Sequence, residues 1–597
     1  MMKLVEFKVE NYKVFKNEFV IKFDDSSISI LTGRNNMGKS TLLEAVNRFF
    51  QNESKAKTIT RDCFSDITKT IIMTATFEGQ FKYSPEENEG EPNKVIPAQS
   101  NVQRIEFIKK YTLEQAPKFY DNTSVLINNS HPYKEDLRDI LSNQPFYITP
   151  YMNPDDINTL IQDIYAEILK NRIEGLERIE QPSEAETILI EEYKGLQQAY
   201  PLFLRKIKST TDSILKEVSA DVSVNLKSLF SNNSLQIDVS GGESSGFSAT
   251  DILKSTNSSV NISNSIQSQM PLSNQGTGLQ RMSLIFLIQN MIEKKLIGGE
   301  HHKLLLIDEP EAFLHPEAVR ALSKSLYKIG AQMPLMISTH SPILIDLSEN
   351  HTSIQLFKIN QAASTQAIEL YQSKSETFDS NDFKNMKILN YVDSYVNEFF
   401  FADKILIVEG DTEYMTFKYF AEKENVNVHI IRARGKGTIQ TLMKILKQFD
   451  VKYYVLHDLD NDNSFPASTL KSQKTMCENI YNLKKDVDRV ENELFLSETT
   501  FEVAIGLDKL SNAQKTKVAY EITKFDETKD DKYKEPYKKI KGLFDYIFLE
   551  KRDGDIFNTS GFYNVTSNDI YKEKFDSLIE AAESDVDEVK QLVDVTT

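Results

Sequence analysis

Apolar and polar residues alternate over the first 32 positions, a period of two that predicts short β-strands. The pattern runs through LVEFKVENYKVFKNEFVIKF (4–23) and SISILT (27–32), which predicts two or three strands. From Thr41 to Phe50 the period changes, and apolar residues fall on one face of a helix. We therefore predict strands that lead through a loop into a helix.

Further patterned segments follow. Positions 69–78 and 101–111 alternate like strands, and a loop rich in Glu, Pro and Asn is predicted at 83–98. From Asp155 to about Phe230 the pattern is helical and highly charged. That segment is interpreted either as a helical arm or interaction surface, or as a helical lobe packed on its own domain.

The segment 255–275 is rich in Ser and Asn, a composition typical of a linker. Because DILKSTNSSVNIS (251–263) also alternates, we predict exposed hairpin strands there. The polar, poorly periodic stretch 361–390 is the best candidate boundary between two α/β domains.

Four short apolar runs end in polar residues, which is typical of buried parallel strands whose carboxyl ends carry chemistry. They are KLLLIDEP (303–310), QMPLMISTH (332–340), KILIVEG (404–410) and VKYYVLHDLD (451–460).

Composition limits the class of protein. The 597 residues allow two to four domains, and the net charge of −18 argues against coating DNA by bulk attraction, although local basic grooves stay possible. No apolar run approaches the roughly 18 residues of a membrane span. The start MMKLVEFKVE is typical of a strand rather than a signal peptide, so a cytoplasmic protein is expected. Cys63 and Cys477 fit neither a disulfide framework nor a zinc cluster.

Residues 33–40, GRNNMGKS, match the phosphate-binding pattern G-x-x-x-x-G-K-[ST] at every fixed position, between a predicted strand and a predicted helix. The glycines let main-chain N–H groups surround the phosphates of ATP, Lys39 reaches the terminal phosphates, and Ser40 can bind Mg²⁺. The candidate ATP-binding residues here are Gly33, Asn35, Gly38, Lys39, Ser40 and Thr41.

A second part of the nucleotide site is predicted after LLLI (304–307). Asp308 would hold Mg²⁺ through water, and Glu309 would act as the general base on the attacking water. These acids could instead cap a helix, but the P-loop requires such a partner. His340 ends a strand where its imidazole could sense the γ-phosphate, although a lone histidine is often structural.

The turn SNQGTGLQR (273–281) precedes a predicted helix and could meet the γ-phosphate across a dimer interface, through Ser273, Gly276 and Gly278. The chain resembles the ATP-binding-cassette heads of the SMC and RecF-like class. The resemblance rests on this turn together with ENYKVFK (10–16), the P-loop, LLLIDEPEAFLHP and STHSP. The turn differs from the transporter form LSGGQ, so a transporter is not expected. The resemblance implies a homodimer or larger oligomer formed through the heads, and Gln144 is the candidate for the family's glutamine loop.

Carboxylates follow two of the later strands. Glu409 and Glu413 are four residues apart across a Gly turn, and Asp458 and Asp460 alternate at a strand end. Four such oxygen donors suit Mg²⁺ or Mn²⁺. The alternative is an ordinary Rossmann-like domain with solvated acids.

This layout resembles a Toprim domain, and an ATPase head followed by a Toprim domain resembles the OLD (overcoming lysogenization defect) nucleases from about residue 3 to 550. The predicted fold is therefore α/β: an ABC-ATPase head with a mixed sheet, a P-loop and a helical insertion, followed by a Toprim Rossmann-like domain. Its expected parts are the head's first part (1–155), the helical insertion (156–230), the head's second part (231–390) and the Toprim domain (391–597).

The resemblance implies further acids, and Glu498 and Glu502, again four apart, are the candidates for completing a two-metal site. It also implies a lysine in a Lys-Pro segment that neutralises transition-state charge. Here the segment reads KEPYKK (534–539), so Lys534, Lys538 and Lys539 stay open, and Lys538 is the one carried forward. Basic runs at 431–452 and 532–541 are interpreted as a DNA path or as solvated helix faces.

The leading hypothesis is a metal-dependent DNA endonuclease regulated by its ATPase head. The resemblance implies a role in bacterial defence, beside a partner protein or a retron reverse transcriptase with its RNA–DNA product. The alternative is an ATP-driven repair or clamp protein of the RecF/SMC class that binds DNA without cutting it. A topoisomerase would need a tyrosine nucleophile, and no tyrosine lies in a supporting motif.

Overall fold

The computed structural model describes part of the chain. The described residues are 2–24, 26–51, 59–81, 103–177, 200–230, 233–240, 259–263, 269–297, 303–346, 354–362, 364–372, 379–392, 396–402, 404–447, 452–485, 492–551, 556–557 and 561–594. The chain divides into two compact units, the first formed by residues up to 346 with 350–369, and the second mainly by residues 370–597. The units separate inside the polar stretch 361–390, and the finer domain limits stay predictions.

The elements up to residue 372 begin with the predicted strands and helix. The strands are β1 (Lys3–Glu10), β2 (Phe19–Lys22), β3 (Ile28–Thr32), β4 (Ile71–Gly79), β5 (Gln103–Tyr111), β6 (Lys118–Asp121), β7 (Phe146–Ile148), β8 (Gln236–Ser240), β9 (Ser259–Ser263), β10 (Met270–Pro271), β11 (Leu305–Asp308), β12 (Leu335–Ser338), β13 (Ile354–Lys358) and β14 (Ile368–Gln372). The helices are α1 (Lys39–Phe50), α2 (Lys134–Ser142), α3 (Pro154–Glu177), α4 (Tyr200–Leu229), α5 (Thr277–Glu293) and α6 (Pro316–Gly330), with short 3-10 helices at Arg61–Cys63, Leu272–Asn274 and Pro342–Leu344.

A mostly parallel sheet positions the nucleotide motifs. Within the described residues it has the order β14-β13-β3-β12-β11-β7, and its neighbours from β13 to β7 run parallel. The carboxyl ends of β3, β11 and β12 therefore meet at one edge, as expected for parallel strands. The described residues also form an antiparallel sheet, β2-β1-β4-β5-β6, and a small antiparallel sheet, β10-β9-β8.

Helix α1 is held by aromatic packing on its apolar face. The ring of Phe49 lies 6.2 Å from Phe7 of β1 and 5.8 Å from Phe119 of β6, centroid to centroid, and all three belong to one core. Perpendicular ring pairs of this kind contribute about 0.5–1.5 kcal/mol beyond the area that they bury. The helix that follows the P-loop is thus anchored to the antiparallel sheet.

Two expectations are changed by the structure. The strand at 259–263 is confirmed, but its predicted exposure is wrong, because Val260 and Ile262 are each only 2% exposed where β9 pairs with β8. Helices are confirmed in 155–230, and Leu215, Val218 and Leu226 of α4 are buried, which favours the packed lobe for that part. The predicted loop at 83–98 lies outside the described residues, as do positions 178–199, 251–258 and 264–268.

The second unit is an α/β domain. Its elements are the helix α7 (Ser380–Val392), a 3-10 helix at Val396–Phe401, β15 (Lys404–Val408), α8 (Asp411–Lys423), β16 (His429–Arg432), α9 (Lys436–Leu446), β17 (Lys452–Asp458), α10 (Ala467–Lys485), β18 (Glu493–Ser497), α11 (Phe501–Ala504), α12 (Asn512–Thr523), α13 (Phe525–Thr528), α14 (Asp531–Phe548), β19 (Phe562–Asn564) and α15 (Asp569–Asp594). Within the described residues its sheet has the order β16-β15-β17-β18-β19, parallel except for β19.

Helices α8 and α14 share the core of this second domain, where Phe417 and Phe420 of α8 lie 6.1 and 5.8 Å from Phe544 of α14. The parallel strands bring the ends of β15, β17 and β18 to one edge. None of the helices in the described part of the chain combines the length and apolar character that crossing a bilayer requires.

Candidate active sites

The P-loop links the end of β3 to the start of α1. Gly33 and Gly38 have φ angles of +134° and +106°, and a Cβ at Gly33 would lie 2.5 Å from the carbonyl oxygen of Ile359. Glycine is the residue that tolerates both constraints. The Lys39 ammonium is buried and donates to the carbonyl oxygens of Gly33 and Arg34, at 3.0 Å each. The main chain of the P-loop therefore binds the ammonium group of its own lysine.

The predicted magnesium residues of this domain contact one another. Asp308 of β11 lies beside Ser338 of β12 in the strand register, and the Ser338 hydroxyl donates to Asp308 Oδ1. The Ser40 hydroxyl also donates to the Asp308 carboxylate, while burial raises the pKa of Asp308. An oxygen pair of this type is what Mg²⁺ prefers, so Ser40 and Asp308 have suitable chemistry to hold it.

Glu309 and His340 end neighbouring strands and face each other, with 3.8 Å between Glu309 Oε1 and His340 Nε2. Glu309 has a φ angle of +43°, a strained conformation for a non-glycine residue that is common at functional sites. Burial lowers the pKa of His340, and the positive charge of Lys39 lowers it further. A neutral imidazole beside a carboxylate can position a water or a phosphate oxygen.

The sequence interpretation missed two residues of this site. Glu311 Oε1 accepts from the main-chain N–H of His340 at 2.7 Å and from the Thr339 hydroxyl at 2.8 Å, which holds the loop after β12. The Arg281 guanidinium donates to the carbonyl oxygens of Asp308 and Ala312, at 2.8 and 2.9 Å. Glu311 was visible as the third acid of DEPE, and Arg281 ends the quoted turn SNQGTGLQR, in which only Ser273, Gly276 and Gly278 were given a role.

The other predicted nucleotide residues are distributed as follows. Asn35 is exposed in the P-loop and Thr41 lies in the first turn of α1. Gly276 precedes α5, Gly278 lies in its first turn, and the Ser273 carbonyl accepts from the Gln280 side chain at 3.0 Å. Gln144 precedes β7, which is parallel to β11, so it lies at the opposite end of the strands from Asp308 and is not brought to the site.

In the second domain, acids from two strands and a helix start meet at the sheet edge. The main-chain N–H of Asp458 donates to Glu409 Oε2 at 3.1 Å. Lys436, at the start of α9, is the cation between two of them: its Nζ lies 3.8 Å from Glu409 Oε2 and forms an ion pair with Asp460. Asp460 has a φ angle of +55°, again a strained position. The predicted trio Glu409, Asp458 and Asp460 is thus assembled.

Glu413 and Glu502 extend this group on its buried side. The main-chain N–H of Gly410 donates to Glu413 Oε1 at 3.2 Å, which fixes the carboxylate over the first turn of α8. Glu502 Oε1 accepts from the Thr412 hydroxyl at 2.7 Å and lies 3.3 Å from Lys515 Nζ. Burial, with the nearby charges of Glu502 and Glu409, raises the pKa of Glu413 to about 8. We call Glu409, Glu413, Asp458, Asp460 and Glu502 the acid cluster.

The acid cluster has the donor chemistry of a divalent-cation site. Glu413 Oε2 and Asp458 Oδ1 are buried and accept no hydrogen bond from the described residues. Burial and the charges of Glu413 and Glu409 raise the pKa of Asp458, because a buried carboxylate without a compensating cation is costly. In the described part of the chain no three Asp, Glu, His or Cys side chains already stand in metal-holding geometry. The residues fit Mg²⁺ or Mn²⁺ by chemistry, and Lys436 supplies compensating charge.

Two predicted residues are not brought to the acid cluster. Glu498 accepts from the Tyr563 hydroxyl at 2.6 Å and from Lys574 Nζ at 3.1 Å, so its charge is balanced there. Within the described residues, Lys538 is exposed on α14 without an ion pair to the cluster, and Lys539 donates to the Ala504 carbonyl at 2.9 Å. The sequence interpretation missed Lys515, which lay outside every motif, and treated Lys436 only as part of a basic run.

The comparisons with known proteins agree with this division. A family profile described as AAA ATPase domain matches residues 2–345, more than half of the chain. The chain belongs to this family. In the second unit, the profile described as overcoming lysogenization defect protein-like, TOPRIM domain, matches residues 400–460, which include Glu409 and Asp458. The expected ATPase head and OLD-like TOPRIM domain, and the α/β fold class, are thereby confirmed.

Curated relatives of this ATPase and TOPRIM chain are nucleases by name. They include the Old nuclease of Escherichia phage P2, 28% identical over 41% of this chain and 44% of that protein, and the OLD nuclease of Thermus scotoductus, 22% identical over 37% and 44%. Endonuclease GajA of Bacillus cereus is 27% identical over 33% of this chain and 32% of its own. The chain thus spans less than half the length of each of these relatives. A solved Smc head domain from Pyrococcus furiosus matches 66% of this chain and 100% of its own at 14% identity, with a TM-score of 0.37 that is too low to support an inference.

Proposed function

We propose that the chain is an ATP-regulated, divalent-metal-dependent DNA endonuclease of the OLD type. The observation that carries the proposal is the acid cluster, in which five carboxylates from three separate segments meet at one sheet edge and two of their oxygens accept no hydrogen bond from the described residues. Such a costly arrangement is typical of a functional site. The names of the curated relatives support the nuclease chemistry.

The acid cluster would hold Mg²⁺ or Mn²⁺ through Glu409, Asp458 and Asp460, with Glu413 and Glu502 as the further donors. Bound there, such an ion supplies a Lewis acid for phosphodiester hydrolysis. The protein's own groups set the geometry: the Asp458 N–H orients Glu409, and Thr412 orients Glu502. Glu498 is omitted from the donors because Tyr563 and Lys574 already satisfy it.

In the ATPase domain, Lys39 and the P-loop would bind the phosphates of ATP, and Ser40 and Asp308 would hold Mg²⁺. Glu309 would orient the attacking water as general base, with His340 beside it. The turn formed by Ser273, Gly276 and Gly278 is proposed to reach the nucleotide of a second copy, so that ATP controls assembly of a homo-oligomer. Bacterial defence, with a partner protein or a retron product, is the proposed context.

Plasmid cleavage tests the proposal. The full chain is incubated with supercoiled DNA and Mg²⁺ or Mn²⁺, with ATP, with a non-hydrolysable analogue, or without nucleotide. We expect the native protein to nick or linearise the plasmid, and Glu409→Gln and Asp458→Asn to lose at least about 10²-fold of the rate. Glu535→Gln, an exposed acid on α14, is the matched control and should keep full activity.

Two results of the plasmid assay would contradict the proposal. DNA binding without cleavage under either metal would favour the clamp or repair protein instead. Full cleavage by the Glu409→Gln, Asp458→Asn double variant would refute the acid cluster as the cutting site.

A further inference from the structure

Lys515 lies in the first turn of α12, which packs against the α8 helix that carries Glu413. Ser511 and Gln514 form a capping box at the start of α12, and this fixes the direction of the first turn. The Lys515 ammonium lies 3.3 Å from Glu502, and it also interacts electrostatically with Glu413 and Asp458. A helix outside the predicted motifs thus supplies a cation to the acid cluster.

Lys515 and Lys436 differ in access to solvent. The Lys436 side chain is 1% exposed, enclosed with Glu409 and Asp460, whereas the Lys515 side chain is 21% exposed although its partner Glu502 is only 1% exposed. The Lys515 side chain therefore reaches from a buried carboxylate to solvent. Of the two described lysines that form ion pairs with the acid cluster, Lys515 is the more accessible to solvent.

The charge balance shows why such a cation matters. In the metal-bound state, in which all five carboxylates would be ionised, the ammonium groups of Lys436 and Lys515 would add two positive charges to those of the bound cations, and together they would offset the repulsion between the carboxylates and a phosphodiester. The lysines that the sequence offered for neutralising transition-state charge lie elsewhere. Lys534 and Lys538 are exposed on α14, and Lys539 donates to a main-chain carbonyl. A phosphate oxygen would therefore have its most favourable electrostatic interaction with an accessible ammonium at the edge of the cluster.

We propose that Lys515 contacts the scissile phosphate and neutralises the charge that develops on its non-bridging oxygens. This inference rests on the proposed nuclease function. In the reaction, the water oxygen forms a bond to phosphorus and the bond from phosphorus to one strand's oxygen breaks. One water proton is transferred to that leaving oxygen and the other stays on the new terminal phosphate. The ammonium of Lys515 is unchanged, and the effect is electrostatic.

The test compares Lys515→Met, Lys515→Arg and Lys538→Met in the full chain. For each variant we would measure the single-turnover rate at saturating DNA and Mn²⁺, the DNA dissociation constant, Mn²⁺ binding by spin resonance, and the melting temperature. We expect Lys515→Met to lower the single-turnover rate by about 10²-fold, with DNA affinity within about threefold of native. Mn²⁺ should bind at least as tightly. Lys515→Arg should recover about a tenth of the native rate or more, and Lys538→Met should match the native chain.

Two results would overturn the assignment. One is a Lys515→Met rate within about threefold of native. The other is a rate loss that Arg does not rescue and that follows a parallel loss of Mn²⁺ binding or melting temperature, which would make Lys515 structural. Both leave the nuclease function standing, whereas a native chain without any cleavage would fail at the earlier plasmid test.

Discussion

The ammonium of Lys436 forms an ion pair with the carboxylate of Asp460 inside the acid cluster, where the lysine side chain is 1% exposed. Removing one partner of a buried pair leaves an uncompensated charge. We therefore expect Lys436→Met to lower the apparent free energy of unfolding of the chelator-treated protein by about 3–5 kcal/mol in urea. Added Mn²⁺ should restore part of this loss, since the carboxylates regain a cation.

The control for that variant is Lys474→Met, which breaks the more exposed pair of Lys474 with Asp576. Exposed pairs contribute about 0–1 kcal/mol. Equal losses in the two variants would contradict a special role for the Lys436 charge.

Lys39→Ala should abolish ATP turnover. The ammonium is buried in the P-loop and bonded to two carbonyl oxygens, from which it can transfer to the terminal phosphates of ATP. A phosphate-release assay provides the measurement, and Lys16→Ala, at an exposed position outside the loop, should keep native turnover. Unchanged hydrolysis in Lys39→Ala would refute the P-loop assignment.

Gly33→Ala should be more damaging than Gly435→Ala, although the two glycines have nearly equal φ angles of +134° and +136°. Alanine at 435 meets no atom within 4 Å, so it carries backbone strain alone, about 1–2 kcal/mol. At position 33 the new Cβ would also lie 2.5 Å from the Ile359 carbonyl, and the loop must move. Titration with a fluorescent ATP analogue should show lost binding only for Gly33→Ala, and equal binding in both variants would argue against this loop geometry.

Asp526 provides a pH-dependent test away from both sites. Lys423, Tyr537 and Tyr419 bond to its carboxylate and hold the pKa of Asp526 below its ordinary 3.8. A lowered carboxyl pKa stabilises the fold at pH values above 3.8, and that contribution is lost as the pH falls through the lower folded-state pKa.

Asp526→Asn should therefore reduce stability at pH 7, by about 1 kcal/mol because the group is partly exposed. The difference from the native chain should shrink below pH 3.8. Urea unfolding at a series of pH values measures it. A difference that stays constant with pH would show that the ionised carboxylate is not what stabilises this cluster.

The local pattern of the sequence was enough for most helices and strands and for most of the residues that the structure brings together at each candidate site. The P-loop and the acids after β11, β15 and β17 could be predicted because each belongs to one contiguous segment, and parallel strands present their carboxyl ends together. Glu409 and Asp458, 49 positions apart in the chain, meet for that reason. Fold class and chemistry of this kind follow from periodicity and motif.

Tertiary structure alone decided which charges share a site. Glu502 joins the acid cluster through Thr412, 90 positions away, whereas Glu498, four residues earlier, turns to Tyr563 and Lys574. Lys515 and Lys436 could be identified as the balancing cations only from the structure, in which Lys515 pairs with Glu502 and Lys436 pairs with Asp460. The physical reason is that the partners of a side chain depend on how distant segments pack. The period of the sequence predicts on which side of a helix or strand a residue lies, but it does not identify the residues that contact that side.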